Sequence, residues 1–418
     1  MVEALGGIRT LLRIAAFASS LGMLAVIPIQ GTPGHPARKT AIVALGVMLI
    51  GLLHPTASVF AGMAHWFLNV AVWAPLFWAA RVVCTARTMR NLLILLWLFN
   101  LTGAVVGVLQ VYFPERFSPS TEFVRNLLGV FADGLLIERS DGKQIWRPFG
   151  LSDSPGGAAV SGSFAVVAGV FLMTFRTKWY IRYLAVVGIG VGVFCIYVCG
   201  VRFAMVTTAL GVLVLLLIQT VQGRLTRAAS LLIVIPVVTA GAIGWTQSIS
   251  GDRVTERVNS LGEGSASTIY YKNRGKFIEQ SLLEELPKYP LGAGMGRYGM
   301  MVKYFGDKRS TLPPLWAEVQ LTGWLYDGGL PLVLLAYGAV FGTFFVTLRI
   351  AVSRKFPAEL SDFAAVITAL NVGWIAASFN FPFFHSQTGI LFWMLNAVLF
   401  SAAQCSLRPQ FAVWRGVR

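Results

Sequence analysis

Five basic side chains, Lys272, Arg274, Lys276, Arg297 and Lys303, lie within one polar stretch, residues 249–316, of a chain that otherwise reads as one apolar run after another. The planar fork of arginine takes phosphate oxygens in pairs, where lysine offers only a point charge. At a membrane face, the phosphate such groups meet is the diphosphate of a lipid-linked substrate. For any single lysine the plainer account is a solvated face balanced by Glu279, Glu284 and Glu285. Arg202 stands apart from this stretch. Cys199-Gly200-Val201-Arg202-Phe203 joins two apolar runs with almost no loop and leaves a guanidinium at a helix end. A charge there is normally functional or interfacial, and a snorkelling anchor is the competing account.

Glu318 and His385 are the candidate proton acceptors. Glu318 is expected on a helical segment descending from the polar stretch into the next apolar run, with Asp327 as its one acidic neighbour. Partial desolvation there makes a carboxylate a better base near neutral pH; a charge favoured by the helix dipole after Pro313-Pro314 is the alternative. His385 sits in Phe383-Phe384-His385-Ser386-Gln387, where a lone histidine among aromatics is more often structural. The run Pro290-Leu291-Gly292-Ala293-Gly294-Met295-Gly296 lacks the lysine and hydroxyl residue of a phosphate loop and is not read as nucleotide-binding. Its glycines predict tight turns or close backbone approach. Cys195 and Cys199 share a helix face, but no His, Asp or Glu accompanies them, so helix packing rather than a metal is expected. With Cys84 and Cys405 they form no disulfide framework.

The elements that must position these residues are membrane spans. The chain is 56% hydrophobic and 12% charged, with a mean hydropathy of +0.69, whereas an ordinary soluble domain is about 25% charged. Some 20 apolar residues make a helix of about 30 Å, the thickness of the hydrocarbon core. By that measure spans are expected at 11–30, 40–54, 58–80, 91–113, 158–175, 183–199, 203–221, 229–248, 328–350, 362–380 and 388–405. The fold class expected is therefore an all-α polytopic membrane protein with about eleven helices, ten to twelve in all. It forms one transmembrane domain over 1–418, elaborated by a first outer loop at 114–157 and a second, partly helical, at 249–327 that carries the catalytic segment. Within the second loop, Tyr270 to Leu286 has helical character, ended by Pro287 and Pro290.

The net charge of +16 does not point to nucleic acid, because the basic residues gather in short connections beside the spans, as the positive-inside rule requires. Arg81, Arg87 and Arg90 occupy one such connection; Arg176, Lys178 and Arg182 a second; Arg224 and Arg227 a third; Arg349, Arg354 and Lys355 a fourth. Both long loops then face the outer compartment. The same frame puts the amino terminus outside, against the preference of Arg9 and Arg13, so the first span is the least well defined. No cleavable signal peptide is expected.

Taken in order, Trp146-Arg147-Pro148-Phe149-Gly150 with Ser154-Pro155, Gly200-Val201-Arg202, Arg274 followed by Pro290-Leu291-Gly292-Ala293-Gly294, and Ala317-Glu318-Val319-Gln320 with Gly329-Leu330-Pro331 resemble the O-antigen ligase and O-antigen polymerase superfamily. The likeness covers about residues 150–330 and the layout of spans. It implies a glycosyltransferase of the bacterial inner membrane that uses undecaprenyl-diphosphate-linked glycans as donor and acceptor, needs no metal, cofactor or nucleotide sugar, and works with a chain-length regulator and a flippase. Arg202 and Arg274 match the arginines that the family assigns to the diphosphate, and Arg147, Lys272, Lys276, Arg297 and His385 become candidate substrate-binding residues. Glu318 departs from the pattern: it stands where the family carries a histidine implicated in activating the acceptor hydroxyl. The expected function is polymerisation of lipid-linked repeat units of an exopolysaccharide, capsule or O-antigen. Ligation of finished polymer to lipid A core is the nearest rival, and a secondary transporter or flippase is the rival of another class.

Overall fold

A computed structural model describes residues 6–27, 34–82, 84–128, 135–139, 141–152, 154–175, 178–251, 268, 270–306, 312 and 315–407. In chain order these form α1 (Gly6–Val26), α2 (Arg38–Ile50), α3 (Val59–Trp78), α4 (Ala86–Tyr112), α5 (Pro114–Phe117), α6 (Thr121–Leu128), the strands β1 (Leu136–Glu138) and β2 (Gln144–Trp146), and α7 (Gly157–Thr174). There follow α8 (Trp179–Val198), α9 (Arg202–Val221), α10 (Leu225–Ser250), a helical run α11 over 271–288, α12 (Gly299–Phe305), α13 (Gln320–Val352), α14 (Ala358–Ser378) and α15 (Gln387–Leu407).

Nine helices among the described residues are long and apolar enough to cross a membrane, so the chain is an all-α, multi-pass membrane protein. The eleven expected spans correspond to these nine and to α1 and α2, whose apolar helical stretches are shorter. In α1 the apolar part is Ile14–Val26. α2 has 13 residues, about 20 Å of helix, which falls short of a hydrocarbon core of ~30 Å. It stops where Gly51–Leu53 tightens to a 3-10 turn and His54 turns extended ahead of Pro55, as the residue before a proline must.

The chain divides into two compact units. The first comprises Met1–Arg9, Arg90–Ala266 and Thr368–Gly373. Within it α7 and α8 approach backbone to backbone: a Cβ added to Gly162 would come within 2.6 Å of the Gly192 carbonyl, the small-residue contact that membrane helices use. The expected first loop is structured. β1 and β2 pair antiparallel, with Leu136 opposite Trp146, and Gln110 on α4 ties down the turn that follows. Its Oε1 accepts from the Phe149 and Gly150 amides at 2.8 and 2.9 Å, and its Nε2 donates to the Phe117 and Gly150 carbonyls, both at 3.3 Å.

The second unit comprises Thr10–Met89, Ser267–Ile367 and Trp374–Arg418. An aromatic core fills its middle: Phe384 lies 5.2 Å from Phe392, 6.0 Å from Trp393 and 5.5 Å from Trp324 between ring centroids, and Trp393 reaches Trp73 of α3 at 5.0 Å. α13 is longer than the expected span and is broken at Gly328–Gly329. Gly329 takes a φ of 63°, a left-handed conformation open to glycine at little cost. The glycine-rich segment seats against this break and satisfies its backbone. Leu330 donates to the Pro290 carbonyl at 3.0 Å and Ala293 to the Tyr326 carbonyl at 2.8 Å. Close backbone approach, one of the two expectations for these glycines, is what the segment does: a Cβ on Gly296 would meet the Ala61 backbone at 2.6 Å.

Candidate functional site

The polar stretch contributes its chemistry to the second unit through α11 and the approach to α13. The helical expectation for Tyr270 to Leu286 holds, but the run passes through Pro287 and ends at Lys288. Two π-turns, Tyr271–Gly275 and Ser281–Glu285, interrupt it, a local geometry enriched at functional sites. Arg274 lies in the first of these. Its Nη1 donates to Oε2 of Glu318, forming an ion pair in which the two side chains are 32% and 25% exposed. The other oxygen of Glu318, Oε1, accepts from the Trp316 indole at 2.6 Å. Glu318 is not on a helix as expected. Val319 is extended at the N-cap and α13 begins only at Gln320, so Glu318 sits in a bend, where its side chain can turn back to α11. Pro313 and Pro314, on which the dipole alternative leaned, lie outside the described residues.

Lys272 and Lys276 are exposed on α11. The Lys276 ammonium stands 5.0 Å from the centre of the Phe277 ring, beside an open cleft of about 400 Å³ lined by Tyr271, Phe277, Glu279, Gln280 and Glu284. Arg297 reaches the Thr56 hydroxyl at 3.5 Å, and that hydroxyl donates to the Ala293 carbonyl at 2.7 Å. In the first unit, Arg147 follows β2 and is half-buried, and burial pulls its guanidinium below the ordinary range. Arg202 opens α9 directly after the Gly200 turn, as expected, with Val201 at the N-cap.

Sequence reading missed a second cluster in the second unit. His65 of α3 is buried, and its Nε2 donates to Oδ2 of Asp327 at 3.0 Å. The Tyr298 hydroxyl donates to the same oxygen at 2.9 Å, and His385 Nε2 stands 3.8 Å away. Asp327 therefore serves this cluster rather than neighbouring Glu318. His385 is not a lone ring among aromatics: Tyr298 and Gln320 both contact it. The Gln320 Oε1 accepts from the Phe384 amide at 2.7 Å, which holds the α14–α15 turn onto the start of α13. Burial, reinforced by His65 and opposed by Asp327, pushes the His385 imidazole down to about 3. Burial and the Asp327 carboxylate drive the Tyr298 phenol well up. His385 is thus neutral, with most of its side chain covered. Among the described residues, His65, Asp327 and His385 are the one trio of His, Cys, Asp or Glu whose ligand atoms all lie within 4.8 Å of one another.

A signal for this cluster existed. His65 and Asn69 stand one helix turn apart inside an apolar run, and an ionisable residue inside a span is a functional candidate by default. Compared with known proteins, the chain matches no family model and no curated protein.

Proposed function

We propose that the chain is a glycosyltransferase that polymerises lipid-diphosphate-linked oligosaccharide repeat units at the periplasmic face of a bacterial inner membrane. The observation that carries this reading is the Arg274–Glu318 pair: a cation and a carboxylate in contact, part-exposed, on a polar elaboration of a multi-pass membrane protein. The donor diphosphate displaces Glu318 from Arg274 and takes its place. Glu318, still held by the Trp316 indole, is then a free carboxylate beside the reacting sugar and accepts the proton of the incoming hydroxyl. The anomeric carbon to diphosphate oxygen bond breaks as the new glycosidic bond forms, and the charge developing on the departing diphosphate is stabilised by Arg274.

A secondary transporter is a second reading, favoured by the break in α13 and the buried His65–Asp327 pair, since transporters place such features near the bilayer midplane. Beyond the break, however, the helix over 330–352 is by itself about 34 Å long, enough to cross ~30 Å of hydrocarbon. The break then falls at one end of the span, which fits interfacial chemistry better than transport.

Purified protein supplied with lipid-linked repeat units should lengthen them, and Arg274→Ala should abolish lengthening while the variant still inserts and purifies as a folded species. Normal polymer length from that variant overturns the scheme. Transfer of finished polymer to lipid A core, without lengthening, identifies a ligase instead.

A further inference from the structure

We propose that His65, Asp327 and His385 bind a divalent transition-metal ion, zinc or a close neighbour, at the break of α13. Three separate elements deliver the ligands: α3, the last residue before Gly328–Gly329, and the turn between α14 and α15. Asp327 Oδ2 lies 3.0 Å from His65 Nε2 and 3.8 Å from His385 Nε2, and one ligand atom from each of the three residues lies within 4.8 Å of the other two. A point equidistant from three atoms so spaced lies no more than about 2.4 Å from each, and zinc bonds to imidazole and carboxylate are about 2.0–2.2 Å. A contraction of a few tenths of an ångström closes the site. Two imidazoles with one carboxylate form a ligand set suited to zinc and its first-row neighbours, and the Tyr298 hydroxyl stands beside the shared oxygen.

Hydrogen bonding alone accounts for this cluster poorly. It leaves His385 Nε2 too far from Asp327 for a bond. It also leaves Oδ1 of Asp327 buried without a partner. The Gln320 amide nitrogen, a donor only, is 3.2 Å from His385 Nδ1 and 3.5 Å from Nε2, and the Tyr298 hydroxyl is 3.4 and 3.5 Å from them, all at or beyond the long end of the hydrogen-bond range. With an ion present, both Nε2 atoms become ligands and Asp327 can offer its second oxygen. The unpaired Nδ1–H left on His65 costs far less than a structural zinc site contributes. The ion would staple α3 and the α14–α15 turn to the broken helix and so fix the bend that carries Glu318. None of the three ligands takes part in the transfer step proposed above, so the two readings fail separately.

The test is metal binding to the full-length protein in detergent after chelator treatment. Zinc titrated by calorimetry should bind one equivalent per chain, and cobalt in its place should give the intense visible bands of a tetrahedral site. His385→Ala and Asp327→Asn should each weaken zinc binding more than about 100-fold, beyond the 10- to 100-fold that loss of a supporting group costs. His54→Ala, on the α2–α3 connection outside the trio, should leave the titration unchanged. Absence of stoichiometric uptake by the unaltered protein overturns the proposal whatever the variants do, as does uptake that survives both ligand substitutions. Either negative result leaves the transfer assay with lipid-linked substrate unaffected.

Discussion

Replacing Glu318 by Gln separates a competitor for Arg274 from a structural prop. The ion pair is about one-quarter to one-third exposed on each side, and pairs so placed contribute about 0–1 kcal/mol. A hydrogen bond from arginine to a phosphate oxygen contributes roughly 1.5–3 kcal/mol, so exchange of Glu318 for a diphosphate runs downhill. Glutamine keeps an oxygen for the Trp316 indole but gives up the charge. In Glu318→Gln, the dissociation constant for a prenyl diphosphate should therefore tighten by up to about fivefold, the equivalent of about 1 kcal/mol. Arg274→Ala should weaken the same constant by about 10- to 150-fold, the equivalent of the bond lost. Calorimetric titration of farnesyl diphosphate into purified protein measures both. Single-turnover transfer should fall in Glu318→Gln even as binding tightens, because the carboxylate also accepts the proton. Binding weakened tenfold in Glu318→Gln, or unchanged in Arg274→Ala, would refute the exchange.

Other substitutions probe what holds the sites in place. Gly329→Ala forces a side chain into a φ of 63° and a clash with the Pro290 carbonyl; conformation alone costs about 1–3 kcal/mol, and thermal unfolding in detergent should begin well below that of the unaltered protein. Gln110→Ala orphans the Phe149 and Gly150 amides, each costing about 1–3 kcal/mol. Limited proteolysis should then cut first near residues 147–156, and unchanged resistance would show that the clamp contributes little. His35 is buried against Phe400, and burial pushes its imidazole from 6.5 down to about 4. Its neutral form is the folded one, so unfolded chains bind the extra proton and stability should fall as pH drops from 6.5 towards 4. His35→Gln should flatten the apparent melting temperature over that window, and an equally steep profile in the variant would exclude His35 as a cause.

Much of this protein is legible in the sequence because the bilayer is an unforgiving solvent. Apolar runs of sufficient length must become helices whose backbone bonds close internally, and so the nine long helices fall where hydropathy puts them, within about five residues apart from the early start of α13. Arg202 at the head of α9, the helix through Arg274 and the close backbone approach around Gly296 follow from local rules of the same kind. Tertiary structure decided the rest. That Glu318 meets Arg274 across 44 positions, and that Asp327 turns to His65 across 262, depends on which helix faces cross, and hydropathy carries no information about that. The break in α13 belongs to the same class. Gly328 and Gly329 permit it, but the helix opens only because the segment from Pro290 arrives to take up the backbone groups that the break sets free.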